Sequence, residues 1–189
     1  MFVSNKLDSD KLIKELKLNY SPFEVVYSFQ EATKFINAID EPIGIREKRQ
    51  GGGQLIVNLT WPEALDILKS GKIAYPLSVY HDMRETETHL IYQGEVWLFP
   101  DGSLKATYNH TPEIKNREAC SSHPARIHVN IDMSDPLNRK WGWDYYPLRA
   151  IIDYCCEYGL IGPVVEFSYY SIPVGWKHEK IVIWEVRNY

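Results

Sequence analysis

Apolar positions along the chain change period several times, and each change marks an element. Residues 8–20, DSDKLIKELKLNY, place Leu12, Ile13, Leu16 and Tyr20 at helical spacing, with Ser9 as a cap. The short apolar run FEVVYSF reads as a strand. In SFQEATKFINAIDEP, Ser28 and Glu31 have capping-box spacing ahead of a stripe of Ala32, Phe35, Ile36 and Ile39, and Pro42 ends the helix. IGIREKRQGGGQLIVNL reads as two strands around a glycine loop. TWPEALDILKSGK repeats the capping box at Thr60 and Glu63. Pro62 sits in its first turn, Trp61, Ala64, Leu65 and Leu68 face inward, and Gly71 stops it.

The middle of the chain turns to alternation. Asp101-Gly102 lies between two extended runs and signals a hairpin. A two-residue turn there would set Trp97 opposite Ala106 and Phe99 opposite Leu104. ARIHVNIDM alternates strictly, with Ile127, Val129 and Ile131 on one face and Arg126, His128, Asn130 and Asp132 on the other. WGWDYYPLRAIIDYCCEYGL reads as a helix burying Leu148, Ile151, Ile152 and Cys155, with Gly159 at its end, and two strands, PVVEFSYYSI and KIVIWEVRNY, follow. Hairpin connections dominate and no βαβ repeat is visible. The pattern predicts a single α+β domain over 1–189: an antiparallel or mixed sheet with about four helices packed mainly on one face.

Composition narrows the classes. The 189 residues are 44% hydrophobic and 24% charged, an ordinary balance for a chain with its own core. A net charge of -4 argues against a dedicated nucleic-acid binder. No apolar run has signal-peptide or membrane-span length, and three cysteines make no disulfide framework, so a cytoplasmic location is expected. Thirteen tyrosines and six tryptophans supply amphipathic walls for a ligand, a protein partner or a second copy of the chain.

Candidate chemistry centres on residues 118–133, EACSSHPARIHVNIDM. His110, Cys120, His123 and His128 are four possible nitrogen and sulfur ligands, but their spacing lacks the paired Cys-x2-Cys units of a zinc site, and a polar loop explains them as well. The polar row is the stronger candidate. Arg126 could hold a phosphate while His128 and Asp132 act as acid and base, although a sheet with one solvated face has the same pattern.

Other clusters offer less. REKRQGGGQ runs from strand to strand, the wrong order for a phosphate loop, and reads as a flap or a plain hairpin tip. His81, Asp82, Glu85, Glu87 and His89 could carry acid–base or ligand groups, or form a solvated connection. Trp141 and Trp143 could stack on a base or sugar near Arg139 and Lys140, or anchor the last helix. Cys155 reads as core and Cys156 as its flank, with no electropositive setting for a reactive thiol.

There is no G-x-S-x-G elbow and no H-E-x-x-H pair. The expectation is a module binding a small molecule or protein partner, with ligand contacts from Arg126, His128, Asn130, Trp141 and Trp143, no cofactor and no metal set. The alternative is a phosphoester-directed hydrolase or nuclease using Arg126, His128 and Asp132, with metal assistance open.

Overall fold

The computed structural model describes residues 6–48, 53–83, 89–109, 127–132, 134–135 and 148–188. In chain order the elements are α1 (Lys6–Glu15), β1 (Phe23–Val26), α2 (Phe29–Ile36), β2 (Ile43–Glu47), β3 (Leu55–Leu59), α3 (Trp61–Lys69), β4 (Leu77–His81), β5 (Leu90–Leu98), β6 (Leu104–Asn109), β7 (Ile127–Ile131), α4 (Leu148–Glu157), β8 (Val164–Val174) and β9 (Glu179–Arg187). The class is α+β, with two antiparallel sheets rather than the one expected. The chain divides into two compact units, one built on residues 21–88, the other on 8–20 with 89–189.

The smaller unit has strand order β1-β4-β2-β3. Its core joins Val26, Ile43, Ile45, Leu59, Leu77 and Val79 of the strands to Ala32 and Ile36 of α2 and Ala64 and Leu68 of α3. Both helix starts follow the sequence. The Glu31 amide donates to Ser28 Oγ at 3.3 Å, and the Glu31 carboxylate accepts the Tyr27 amide at 2.9 Å. Glu63 accepts both the amide and the hydroxyl of Thr60, at 2.8 and 2.6 Å. α2 stops at Ile36, short of Pro42, and Trp61 lies outside the core with its indole N–H on the Ile36 carbonyl at 3.1 Å. β4 carries no alternation and went unread, because as an inner strand it buries Leu77, Ser78 and Val79 in succession.

The larger unit has strand order β7-β6-β5-β8-β9. One face of its sheet carries Val96, Leu98, Leu104, Ala106, Ile131 and Val165, all buried. α4 packs on β5 and buries Leu148, Ile151, Ile152, Tyr154 and Cys155, the expected stripe with Tyr154 added. Ser9 is not a cap. It sits inside α1, buried, and its hydroxyl accepts the Val186 amide at 2.8 Å.

The hairpin at Asp101-Gly102 closes one residue differently from the expectation. The Phe99 amide donates to the Ser103 carbonyl at 2.9 Å, leaving a three-residue loop with Gly102 at φ +87. This is the loop class in which a left-handed glycine follows a turn. The register is therefore Val96↔Ala106, Trp97↔Lys105 and Leu98↔Leu104. A one-residue slip moves every side chain to the other face. The observed register keeps leucine opposite leucine in the core and turns Trp97 and Lys105 to the polar face.

Candidate functional site

The polar face of the large sheet is built from alternate positions of five strands. Cross-strand pairing sets His128 opposite Thr107, Thr107 opposite Glu95, Glu95 opposite Glu166, and Glu166 opposite Glu185. The next row holds Asn130, Lys105, Trp97, Val164 and Arg187. Side chains at alternate strand positions share a face, so both rows look the same way.

An open depression of about 420 Å³ lies on this face, lined by Glu95, Trp97, Lys105, Thr107, His128 and Asn130 among others. That volume lies within the range of small-molecule sites. Thr107 Oγ1 is 3.2 Å from His128 Nδ1. The Lys105 ammonium stands 5.9 Å from the Trp97 ring centroid and 5.7 Å from that of Phe99, and the two rings are 4.5 Å apart. A cation, a carboxylate, an aromatic plate and three polar side chains thus border one concavity.

Beside it, Arg187 collects the acids. Its Nη2 donates to Glu95 at 2.7 Å, its Nη1 bonds Glu166, and Glu185 lies at 3.8 Å. Partial burial opposes the guanidinium charge, but hydrogen bonds and charges from Glu95 and Glu166 outweigh that and hold its pKa above the ordinary arginine value. The Glu166 side chain is only 9% exposed, so removing Arg187 would strand it without its ion-pair partner.

Two of the polar-row residues lie where the alternation put them, since His128 and Asn130 are exposed on this face beside inward Ile131. Asp132 lies past the end of β7, and its Oδ1 accepts the Ser134 amide at 2.8 Å. That bond lowers its pKa and ties the side chain to the turn at Ser134. Arg126, Trp141, Trp143, His110, Cys120, His123, Glu85, Glu87, Gly51 and Gly52 fall outside the described residues. Asp82 is buried and accepts the Asn58 amide at 2.7 Å, while His81 Nδ1 meets the Asp40 carbonyl at 3.0 Å, so both serve the smaller unit. Glu47, before the glycine loop, accepts the amides of Gln54 and Ala74 at 3.0 and 2.7 Å.

Glu95, Lys105, Thr107, Glu166 and Arg187 were missed. One signal was present: Glu166 is a lone charge in the apolar run VVEF, and a buried charge requires a partner.

No family model matches the chain, and no curated protein matches it in sequence. Solved structures do match. N5-carboxyaminoimidazole synthetase from Staphylococcus aureus, complexed with ADP, aligns at TM-score 0.56 and 12% identity over 98% of this chain and 45% of its own. An ATP-grasp RimK domain protein from Sphaerobacter thermophilus aligns at 0.53 and 14%, over 94% and 55%. The biotin carboxylase domain of the Hydrogenobacter thermophilus 2-oxoglutarate carboxylase, holding MgADP, ADP and bicarbonate, aligns at 0.53 and 13%, over 97% and 39%. The shared feature is the ATP-grasp fold. The chain spans about half, or less, of the length of these structures.

That fold corrects the functional expectation. A module binding a small ligand or a protein partner, in a regulatory role, was expected, with a phosphoester-directed hydrolase or nuclease based on Arg126, His128 and Asp132 as the alternative. The likeness is instead to ATP-grasp synthetases and carboxylases. Among the described residues no helix is long and apolar enough to cross a membrane.

Proposed function

We propose that the chain is a nucleotide-binding part of a synthetase-type enzyme and takes an adenine nucleotide against the polar face of its large sheet. The observation that carries this reading is the likeness of fold, over nearly the whole chain, to a synthetase that holds ADP. The chemistry of the face supports it. The Trp97 ring offers a plate for a purine, since aromatic stacking on a base contributes about 1–3 kcal/mol. Lys105 provides a charge for phosphate oxygens beside that ring. Thr107, His128 and Asn130 carry hydrogen-bonding groups of the kind a ribose needs. The acceptor substrate and the full reaction belong to the same proposal.

Magnesium accompanies ADP in the Hydrogenobacter carboxylase. That ion takes hard oxygen ligands in near-octahedral geometry. The carboxylates on this face are Glu95, Glu166 and Glu185, and Arg187 already pairs with all three. Among the described residues no group of three or more His, Cys, Asp or Glu is placed to hold a metal ion. The described residues of this face therefore offer no ligand set for a divalent ion.

The test is a calorimetric titration with ADP and ATP, with tryptophan fluorescence recorded in parallel. Saturable binding with a change in emission is expected. No heat and no emission change up to about 1 mM nucleotide, the upper end of usual substrate affinities, would overturn the reading.

A further inference from the structure

Across the β5–β6 ladder, Lys105 faces three side chains of the polar face. Trp97 is directly opposite, and Glu95 and Phe99 are its two diagonals. A long side chain reaches all three positions. An ammonium is drawn first to a carboxylate. Glu95, however, is already held by Arg187 Nη2 at 2.7 Å. The Lys105 ammonium stands instead 5.9 Å from the Trp97 ring centroid and 5.7 Å from that of Phe99. Both distances lie within the range over which a ring attracts a cation.

The backbone fixes Phe99 in this place. Its amide donates to the Ser103 carbonyl and its carbonyl accepts the Gly102 amide, both at 2.9 Å. Its ring lies 4.5 Å from that of Trp97, tilted by 31°. Trp97 and Lys105 line the depression, and Phe99 stands just outside that lining.

We propose that Phe99 is a positioning residue, which with Trp97 holds the Lys105 ammonium at the edge of the depression as a ready contact for an oxyanion. A lysine side chain that is already held loses less rotamer freedom when an anion arrives. The hold is also one that an anion overcomes, because a charge-assisted bond to a phosphate oxygen is stronger than attraction to an exposed ring. An ion pair with Glu95 would compete harder. Arg187 removes that competitor by taking Glu95 for itself. This inference deepens the nucleotide reading above and rests on it for the identity of the anion.

The experiment observes Lys105 directly. Proton–carbon correlation spectra of the isotopically labelled whole chain report its ε-methylene group, assigned by its disappearance in Lys105→Arg. Ring shielding should set that signal apart from those of other lysines. Phe99→Leu and Phe99→Met should move it back by roughly half, since the two rings stand at nearly equal distances, and Phe99→Tyr should keep it in place. Inorganic tripolyphosphate, which needs no base site, should shift the signal in wild type. Its affinity should fall about threefold in Phe99→Leu, recover in Phe99→Tyr, and show no effect of Phe99→Leu in a Lys105→Met background. A Lys105 signal that is unshielded in wild type, or unmoved by tripolyphosphate, would overturn the proposal. So would a Phe99→Leu effect on affinity that persists without Lys105. If Phe99→Leu unfolds by circular dichroism, Phe99→Met makes the same comparisons, and the wild-type signal decides in either case. Tripolyphosphate that moves Lys105 while ADP does not would sink the nucleotide reading and leave the role of Phe99 standing.

Discussion

The side-chain amide of Asn19 donates to the Ile181 carbonyl at 2.6 Å, joining the segment after α1 to the middle of β9. The same nitrogen also reaches the carbonyls of Val174 and Glu179, and Oδ1 accepts the Lys177 amide at 2.9 Å. The Asn19 backbone amide donates to the Tyr154 hydroxyl at 2.7 Å, and its carbonyl accepts the Ile183 amide at 2.8 Å. Asn19 is fully buried, so one residue satisfies the β8–β9 turn and meets α4 without water.

Asn19→Ala should therefore destabilise the chain by about 1–3 kcal/mol, the usual penalty for stranding buried hydrogen-bonding groups. Urea denaturation followed by circular dichroism measures it. Asn19→Asp should be no better, because a carboxylate brings charge and no donors to three carbonyls. A loss of under about 0.5 kcal/mol for Asn19→Ala, the range of an ordinary surface change, would sink the account.

Gly94 sets the spacing of β5 and β6. A Cβ there would lie 2.1 Å from the Thr107 carbonyl oxygen and 2.6 Å from Tyr108 Cα, both backbone atoms. Gly94→Ala must push two paired strands apart, so a loss above about 2 kcal/mol is expected, in the upper part of the overpacking range. At Gly44 the nearest atoms belong to the Tyr80 ring, which is able to rotate. Thermal melting should therefore show a smaller drop for Gly44→Ala. The reverse order would contradict the geometry.

If the nucleotide lies along the depression, Lys105→Ala should weaken ADP by about tenfold, the loss of one charge-assisted contact. Trp97→Leu should remove most of the nucleotide-dependent change in emission. Calorimetry and fluorescence on the two variants separate the site from the fold. Wild-type affinity and wild-type quenching in both would place the nucleotide elsewhere on the chain.

The two adjacent thiols of α4 should differ in reactivity. Cys155 is buried, and burial, with the neighbouring Cys156 second, pushes its pKa up to about 12. Cys156 is exposed. Only the thiolate reacts with iodoacetamide. Iodoacetamide should thus label Cys156 in the native protein and leave Cys155 untouched until the helix unfolds. Mass spectrometry of the peptide containing both residues gives the two rates, and equal rates in native protein would refute the difference.

Local signals were legible where one short segment contains both the cause and the effect. The Thr60–Glu63 capping box and the α4 stripe depend on neighbours three or four residues away, and both formed as the spacing predicts. The alternation of Ile127 to Ile131 likewise chose the face of His128 and Asn130. Reading failed where two local solutions are nearly equal. Asp101-Gly102 suits a two-residue and a three-residue hairpin, and burial of Leu98 against Leu104 decided between them. It failed again at Ser9, whose hydroxyl serves a strand far along the chain instead of its own helix.

The sequence by itself determined the α+β class, the capped starts of α2 and α3 and the polar alternation, because hydrogen bonding within a few residues and the periods of helix and strand are local properties. Only the tertiary structure decided that there are two sheets, that Trp97 and Lys105 turn away from the core, and that Glu95, Glu166 and Glu185 form one row under Arg187. Arg187 lies 92 residues from Glu95 and 21 from Glu166. No period links residues so far apart. Strand order and register bring them together, and the repulsion among the glutamates then makes the arginine necessary.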